Sequence, residues 1–152
     1  MPLEIERKFL VTGSSWKTGT PIRICQGFLN RDPDRTVRVR IANEVAFLTI
    51  KGRTKGAVRE EYEYAVPVEH AERMLLLCEG PLIEKRRWLI PMDGFTWEVD
   101  EFLGENAGLI VAEIELEDQA ATFPMPAWLG DEVTHDPRYF NSSLSKHPFS
   151  EW

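Results

Sequence analysis

The sequence contains few of the residues that build disulfide-bonded, zinc-binding or membrane-embedded proteins. Among its 152 residues there are only two cysteines, Cys25 and Cys78, which lie far apart in apolar stretches and are predicted to be buried thiols without a disulfide. The three histidines are scattered and form no HExxH motif, so we expect surface or capping roles for them. No apolar run is long enough to cross a bilayer, and the first residues lack the basic and apolar parts of a signal peptide. These absences favour a cytoplasmic protein that does not contact membranes.

Positive charge is also scarce. Lysine and arginine together number 18 against 25 aspartates and glutamates, and the formal net charge of −7 argues against a nucleic-acid partner. A local basic cluster can nevertheless bind an anion in an acidic protein, and carboxylates can hold a metal ion. Residues 13–18 do not form a Walker A loop, because they lack the Gly-Lys pair at the required spacing. The length and the 43% hydrophobic content are ordinary for one domain, which we expect to span residues 1–152.

The chain is rich in short segments with the alternating pattern of β-strands. Eight strands are predicted, at residues 2–11, 21–30, 35–42, 45–53, 57–66, 83–91, 94–103 and 108–117. Their close spacing favours antiparallel neighbours joined by hairpins, and eight such strands can close into a barrel without open edges. The predicted fold is therefore mainly β, with flanking helices around an eight-stranded antiparallel closed barrel.

Helical patterns are few. Residues 68–79 carry acidic residues in their first turn and stop before Gly80, which predicts an amphipathic helix. A weaker pattern predicts a second helix over residues 137–146 with Asp136 as its N-cap, and a short helical turn is expected at residues 127–129. The helices therefore make up a minor part of the predicted fold.

Charged residues occupy alternate positions in the predicted strands. In the first strand Glu4, Glu6 and Lys8 lie on one face and Ile5 and Phe9 on the other, because alternate residues of a strand share a face. Later strands repeat the pattern, mostly as like-charged pairs: Arg38 and Arg40, Glu61 and Glu63, Lys85 and Arg87, Glu98 and Asp100, Glu113 and Glu115, with Lys51 on a further strand.

Two interpretations of these rows are open. For any one strand, the simpler interpretation is the solvated face of a half-buried sheet. The complete set favours another, because like charges close together on one face repel and a strand selected only for stability would mix the signs. The opposite faces carry large apolar residues, including Phe9, Tyr62, Trp88 and Trp97, which need a core of their own. We therefore predict a charged barrel interior, with the apolar faces outside it beneath helices, the reverse of a small packed barrel.

A charged interior implies a ligand that satisfies both signs. Crowded carboxylates resist ionisation unless a cation lies among them, and gathered Arg and Lys side chains need an anion. A triphosphate bound with Mg²⁺ or Mn²⁺ meets both needs, because hard cations take oxygen ligands and bind substrate phosphates, while arginine grips phosphate through two hydrogen bonds. The sequence therefore predicts a metal-dependent polyphosphate site.

These residues resemble the CYTH domain family, also called the triphosphate tunnel metalloenzymes. The opening EIERK matches the family's ExExK signature, and six further elements follow in the family's order: RVR, TIK, EYE, KxR, WEVD and EIELE. The likeness covers nearly the whole chain and is strongest to the small bacterial members that hydrolyse inorganic triphosphate. It implies an eight-stranded tunnel, a divalent metal, and hydrolysis of tripolyphosphate to pyrophosphate and phosphate.

The resemblance also implies roles for individual residues. The metal ligands would be Glu4, Glu6, Asp100, Glu113 and Glu115. The phosphate-binding residues would be Lys8, Arg38, Arg40, Lys51, Lys85 and Arg87. Glu61 and Glu63 would be interior acids that orient basic residues or water, and Lys146 would reach one tunnel mouth from a C-terminal helix. Of this set, Lys8, Arg40, Lys85 and Glu63 are predicted to take part in the reaction itself.

One departure and two alternatives accompany this interpretation. Phe28 stands where small bacterial members commonly carry tyrosine, so no phenolic hydroxyl is available there. Within the family, the same tunnel would also suit cyclisation of ATP or cleavage of thiamine or nucleoside triphosphates. A polyphosphate-binding module without turnover is the third possibility, although a pure anion binder has little use for so many acids. The preferred metal and the oligomeric state are left open by the sequence.

Overall fold

The computed structural model describes residues 2–152, which contain nine β-strands and two short α-helices. The strands are β1 (Leu3–Val11), β2 (Ile22–Asn30), β3 (Arg35–Ala42), β4 (Val45–Gly52), β5 (Val58–Val66), β6 (Glu79–Met92), β7 (Phe95–Phe102), β8 (Ile110–Glu115) and β9 (Leu129–Glu132). The helices are α1 (Val68–Leu75) and α2 (Asn141–Leu144), and 3₁₀ turns lie at Gly104–Asn106, Pro137–Tyr139 and Phe149–Glu151. Within residues 2–152, no helix is both long enough and apolar enough to cross a membrane.

Eight of the strands close into an antiparallel barrel, which confirms the predicted fold. The order around the barrel is β5-β4-β3-β2-β6-β7-β8-β1, and β1 returns to pair with β5. β1 closes the barrel because Glu4 pairs with Arg59 of β5 while Lys8 pairs with Glu113 of β8. Closure satisfies the backbone groups that an open sheet would leave unpaired.

β9 is an addition to the eight predicted strands. The helical turn expected at residues 127–129 is wrong, because a turn at residues 127–128 leads directly into this strand. β9 pairs with the end of β1, and a Cβ atom on Gly130 would lie only 3.0 Å from the carbonyl oxygen of Leu10. Four residues without polar–apolar alternation give no periodic signal, so the sequence does not reveal this strand.

The apolar faces of β1, β7 and β8 lie outside the barrel, as predicted, but loops cover them where helices were expected. Trp97 is fully buried there, with edge-to-face contacts to Phe9, Phe123 and Trp128 at centroid distances of 5.6, 5.8 and 5.7 Å. Trp16, from the loop after β1, packs in the same cluster. This aromatic layer fixes which residues of the three strands face inward.

α1 covers a second part of the wall. Its Ala71 is fully buried against Val39 of β3 and Ala46 of β4. The predicted helix over residues 68–79 is too long, because α1 ends at Leu75 and β6 begins at Glu79. The glycine expected to end the helix therefore lies within the strand.

Gly80 serves a contact between β6 and the C-terminal segment (residues 137–152). Its φ of 69° lies in the left-handed region, and a Cβ atom there would come within 2.7 Å of the Ser145 carbonyl oxygen and of Arg31 Nη1. Arg31 Nη1 in turn donates to the same carbonyl oxygen at 3.2 Å. Glycine therefore permits the C-terminal segment to approach the barrel closely.

The C-terminal segment packs against one end of the barrel interior, where the lining is apolar. The predicted helix over residues 137–146 is divided there into a 3₁₀ turn, capped by Asp136, and α2, because Phe140 between them is extended. The residues that fill this end are Phe28, Ile83, Phe102, Leu109, Val111, Tyr139 and Leu144. The charged rows occupy the remainder of the interior.

Candidate functional site

The barrel encloses a cavity of about 260 Å³ with a mainly polar wall. All eight barrel strands contribute to it, because each turns alternate residues inward. Seven acidic residues line it: Glu4, Glu6, Glu61, Glu63, Glu98, Glu113 and Glu115. Seven basic residues also line it: Lys8, Arg38, Arg40, Lys51, Arg59, Lys85 and Arg87. The charged rows therefore enclose a cavity in which both signs are present.

Two lysines hold the carboxylates of β1, β5 and β8. Lys8 Nζ donates to Glu6 Oε1 at 3.0 Å and to Glu113 Oε1 at 3.4 Å. Lys51 Nζ donates to both oxygens of Glu4, at 2.9 and 3.1 Å, and lies 3.4 Å from Glu61. Burial alone would raise the pKa of Glu6, but Lys8 lowers it below the ordinary carboxyl value. Glu6 is therefore held ionised.

Glu115 is less well compensated. It lies directly opposite Glu6 across the β1–β8 pair, where like charges repel. Partial burial, followed by the negative charges of Glu4, Glu61 and Glu6, raises the pKa of Glu115 to about 7. A divalent cation near Glu115 and Glu6 would remove this repulsion.

Three guanidinium groups on β3 and β5 donate no hydrogen bond to a carboxylate within residues 2–152, although Arg38 Nη2 lies 3.7 Å from Glu63 Oε2. Arg40 Nε donates to Gln26 Oε1 at 2.8 Å, and Arg59 donates to Gly52 O and Thr36 Oγ1. Arg38 donates to Thr49 Oγ1 at 3.2 Å, but its buried Nε has no partner.

Burial is the largest influence on all three guanidinium groups. It lowers the pKa of Arg38, Arg40 and Arg59, and the positive charges of Arg38 and Arg87 lower the pKa of Arg40 further. Such crowding of cations favours a bound anion.

Asp100 lies at the base of a buried ion cluster. Its Oδ1 accepts from Arg87 Nε at 2.8 Å, and its Oδ2 accepts from Arg87 Nη2 at 3.0 Å and forms an ion pair with Lys85 Nζ at 2.7 Å. Burial would raise the pKa of Asp100, but Arg87 and Lys85 lower it below the ordinary value. Both carboxylate oxygens are therefore engaged by cations.

The structure brings together twelve of the fourteen predicted site residues in the cavity wall. Asp100 lies behind the wall with no exposed surface, next to Lys85 and Arg87. Lys146 is exposed, follows the end of α2, and does not line the cavity. Phe28 lines the cavity and packs in the apolar cluster at the end of the barrel that the C-terminal segment covers.

Several residues in or next to the cavity wall were not predicted as site residues. Arg59 and Glu98 alternate with predicted residues on β5 and β7, so strand periodicity could have identified them. Gln26 and Asn141 could not be found in this way, because their importance depends on contact between β2 and the C-terminal segment. Single polar amides carry no sequence signal for such a contact.

The fold and the cavity together define a closed antiparallel barrel with an interior lined by acidic and basic side chains. The CYTH domain family model matches residues 2–148, and the chain belongs to that family. The matched residues include every charged residue of the cavity wall.

Known relatives cover nearly the whole chain. An inorganic triphosphatase of Acetivibrio thermocellus is 51% identical over 154 residues, which cover 100% of this chain and 99% of that protein. An inorganic triphosphatase of Nitrosomonas europaea is 36% identical, covering 93% of this chain and 96% of that protein. A crystal structure of an inorganic triphosphatase, 34% identical, superimposes with a TM-score of 0.65 over 93% of this chain and 96% of that one.

Proposed function

We propose that this protein hydrolyses inorganic triphosphate to pyrophosphate and phosphate in the barrel cavity, with a divalent metal ion. The observation that carries the proposal is the cavity wall, in which seven carboxylate and seven cationic side chains face one interior space. Both relatives described above that cover nearly the whole chain at 36% identity or more are inorganic triphosphatases. We further propose that residues 1–152 act as one domain.

In this proposal, the cationic residues hold the phosphate chain. Phosphoryl transfer depends mainly on positioning and on neutralisation of charge, which a buried set of cations supplies. Arg38 and Arg40 are suited to this role because Arg38 is buried, Arg40 is partly buried, and no carboxylate accepts a hydrogen bond from either within residues 2–152. The residues assigned to the phosphates are Lys8, Arg38, Arg40, Lys51, Lys85 and Arg87.

The acidic rows suit a hard divalent cation. Glu4, Glu6, Glu113 and Glu115 supply oxygen donors, although no group of three or more His, Cys, Asp or Glu residues within residues 2–152 forms a metal cage by itself. This fits Mg²⁺ or Mn²⁺, which retain water ligands and also bind substrate phosphates. When bound, such an ion would neutralise phosphate charge. We propose that Asp100, predicted as a fifth ligand, acts instead by positioning Lys85 and Arg87, because both its oxygens are engaged by them.

Glu63 is the carboxylate that we assign to the attacking water. Its Oε2 accepts from Thr49 Oγ1 at 3.1 Å and lies 3.7 Å from Arg38 Nη2, whereas its Oε1 makes no hydrogen bond within the described chain. That oxygen could orient a water molecule and accept its proton. Lys8, Arg40 and Lys85 would stabilise the charge that develops on the phosphates.

The decisive test is phosphate release from tripolyphosphate by the purified protein, with Mg²⁺ or Mn²⁺ across a broad pH range. ATP and thiamine triphosphate serve as competing substrates, and we expect tripolyphosphate to be preferred. Glu4→Gln should abolish turnover with the fold intact, whereas Glu117→Gln, outside the cavity wall, should not. Formation of cyclic AMP would support a cyclase, and tight binding without turnover in the presence of metal would support a binding module. Either result would contradict the proposal.

A further inference from the structure

A chain of hydrogen bonds passes through two amide side chains that the proposed function does not use. Arg40 Nε donates to Gln26 Oε1 at 2.8 Å, and Gln26 Nε2 donates to Asn141 Oδ1 at 2.7 Å. Lys85 Nζ donates to the same oxygen of Asn141 at 3.0 Å. Gln26 is fully buried in β2, and Asn141 is the first residue of α2. The chain therefore joins two phosphate-binding cations to the C-terminal segment.

The two ends of this chain determine how both amides are oriented. Arginine and lysine side chains can only donate hydrogen bonds, so the atoms that face them are the oxygens of Gln26 and Asn141. Turning either amide over would place an NH₂ group against a cation, and for Asn141 also against the NH₂ group of Gln26. The orientation of each amide therefore follows from its partners.

This orientation leaves one donor unused. Asn141 Nδ2 makes no hydrogen bond within residues 2–152, and it is not among the buried atoms without partners. Asn141 lines the cavity beside Lys85. An accessible NH₂ group there is complementary to an atom that only accepts hydrogen bonds, as a phosphate oxygen does.

We propose that Asn141 contacts the substrate, with its Nδ2 donating a hydrogen bond to a phosphate oxygen of the triphosphate. The inference rests on the proposed function for the identity of the anion. A neutral donor suits this position because it recognises phosphate without adding to the repulsion among Arg38, Arg40 and Arg87. The C-terminal segment then contributes to the site through Asn141, whereas the sequence predicted Lys146 in that role.

Asn141→Asp separates this role from a purely structural one. The substitution preserves volume and keeps an acceptor for Lys85 and Gln26, but it replaces the donor with a carboxylate oxygen. We expect KM for tripolyphosphate to rise about tenfold to a hundredfold, as for loss of a hydrogen bond to a charged group. Ser143→Ala is the matched control, because Ser143 lies in the same helix, is outside the cavity wall and makes no side-chain hydrogen bond within the described residues.

Calorimetric titration of tripolyphosphate in EDTA measures binding without turnover. We expect Asn141→Asp and Asn141→Ala to weaken the Kd, while Ser143→Ala leaves it unchanged. A Kd and KM of wild-type size in Asn141→Asp, with loss only in Asn141→Ala, would show that only the acceptor matters and would overturn the inference. Wild-type protein that binds tripolyphosphate but does not hydrolyse it with metal would overturn the proposed function, and the Kd values would still decide the role of Asn141.

Gln26→Glu provides an independent test. It keeps an acceptor for Arg40 but removes one of the two donors to Asn141 Oδ1, so that only Lys85 holds this oxygen, and the new carboxylate competes with the substrate for the NH₂ group of Asn141. We expect a raised KM, and less than additive effects when Gln26→Glu is combined with Asn141→Ala. Fully additive effects would contradict the proposed coupling.

Discussion

At the scale of one residue, ionisation of Glu115 lowers the stability of the protein without a bound cation. This residue faces Glu6 across a strand pair, and partial burial together with the surrounding carboxylates raises the pKa of Glu115 to about 7. Between the ordinary carboxyl pKa and this value, the folded state binds more protons than the unfolded state. Stability is therefore lost as pH rises through 7, and a bound cation would restore it.

Glu115→Gln should stabilise the metal-free protein at pH 8 but not at pH 4. The amide cannot ionise, so the repulsion that develops with rising pH is removed. The expected rise in Tm is about 1–3 °C, small because Glu115 is partly exposed. Thermal unfolding followed by circular dichroism measures this rise. Glu117→Gln is the control, because Glu117 lies two residues after Glu115 and outside the cavity wall. An equal Tm change at both pH values would show that the gain is unrelated to ionisation.

Asp100→Asn tests whether Asp100 positions Lys85 and Arg87 or binds the metal ion. Asp100→Asn leaves Arg87 and Lys85 buried with reduced compensation, so we expect a loss of about 3–5 kcal/mol in the free energy of unfolding. Urea unfolding without metal measures the loss. Asp136→Asn, which alters an exposed pair, should change stability little. Unchanged stability in Asp100→Asn with weakened metal binding would instead support the predicted role as a metal ligand.

Sequence periodicity located most of the charged residues of the site, because strand alternation determines which face a residue occupies. It could not indicate which charges are already paired. Asp100 alternates correctly with Glu98, yet only the structure shows both its oxygens engaged by Lys85 and Arg87. The position of Asn141 in the site could not be predicted from periodicity at all, since it depends on contact of the C-terminal segment with β2 and β6.

At the scale of elements, the hairpin strands were predictable and the irregular segments were not. β2, β3, β4 and β5 match their predicted ranges within about one residue, because alternation and turn residues agree there. β6 begins four residues earlier than the prediction, since Gly80 was interpreted as a helix stop. β9 has no periodic signal, and the aromatic loops that replace the expected helices have none either.

Gly80 is the element-scale test of how the C-terminal segment is held. Gly80→Ala places a Cβ atom 2.7 Å from the Ser145 carbonyl oxygen at a positive φ, so we expect a loss of about 2–4 kcal/mol in stability. Gly94→Ala is the matched control, with φ of 81° but no atom within 4 Å, and should lose only about 1–2 kcal/mol. Urea unfolding gives both values. Equal losses would show that the contact with Ser145 contributes nothing.

At the scale of the whole molecule, the apolar core and the functional cavity lie on opposite sides of the same strands. The aromatic layer around Trp97 packs against the outside of β1, β7 and β8, while the charged residues of these strands face inward. The backbone hydrogen bonds of the closed barrel hold both surfaces together. Folding therefore does not require the cavity to be filled, and Lys8 and Lys51 already compensate the acids of β1.

Removal of metal should therefore abolish activity without unfolding the protein. In EDTA we expect the far-UV circular dichroism to be retained and Tm to change by less than about 2 °C, because no carboxylate cage within residues 2–152 depends on an ion. Adding Mg²⁺ and tripolyphosphate together should stabilise the fold by about 2.7 kcal/mol when free ligand reaches roughly a hundred times its Kd. Inorganic sulfate at the same ionic strength is the control for general salt effects. Unfolding in EDTA alone would mean that a metal ion is part of the folded structure, and that the apolar core does not hold the fold independently of the cavity.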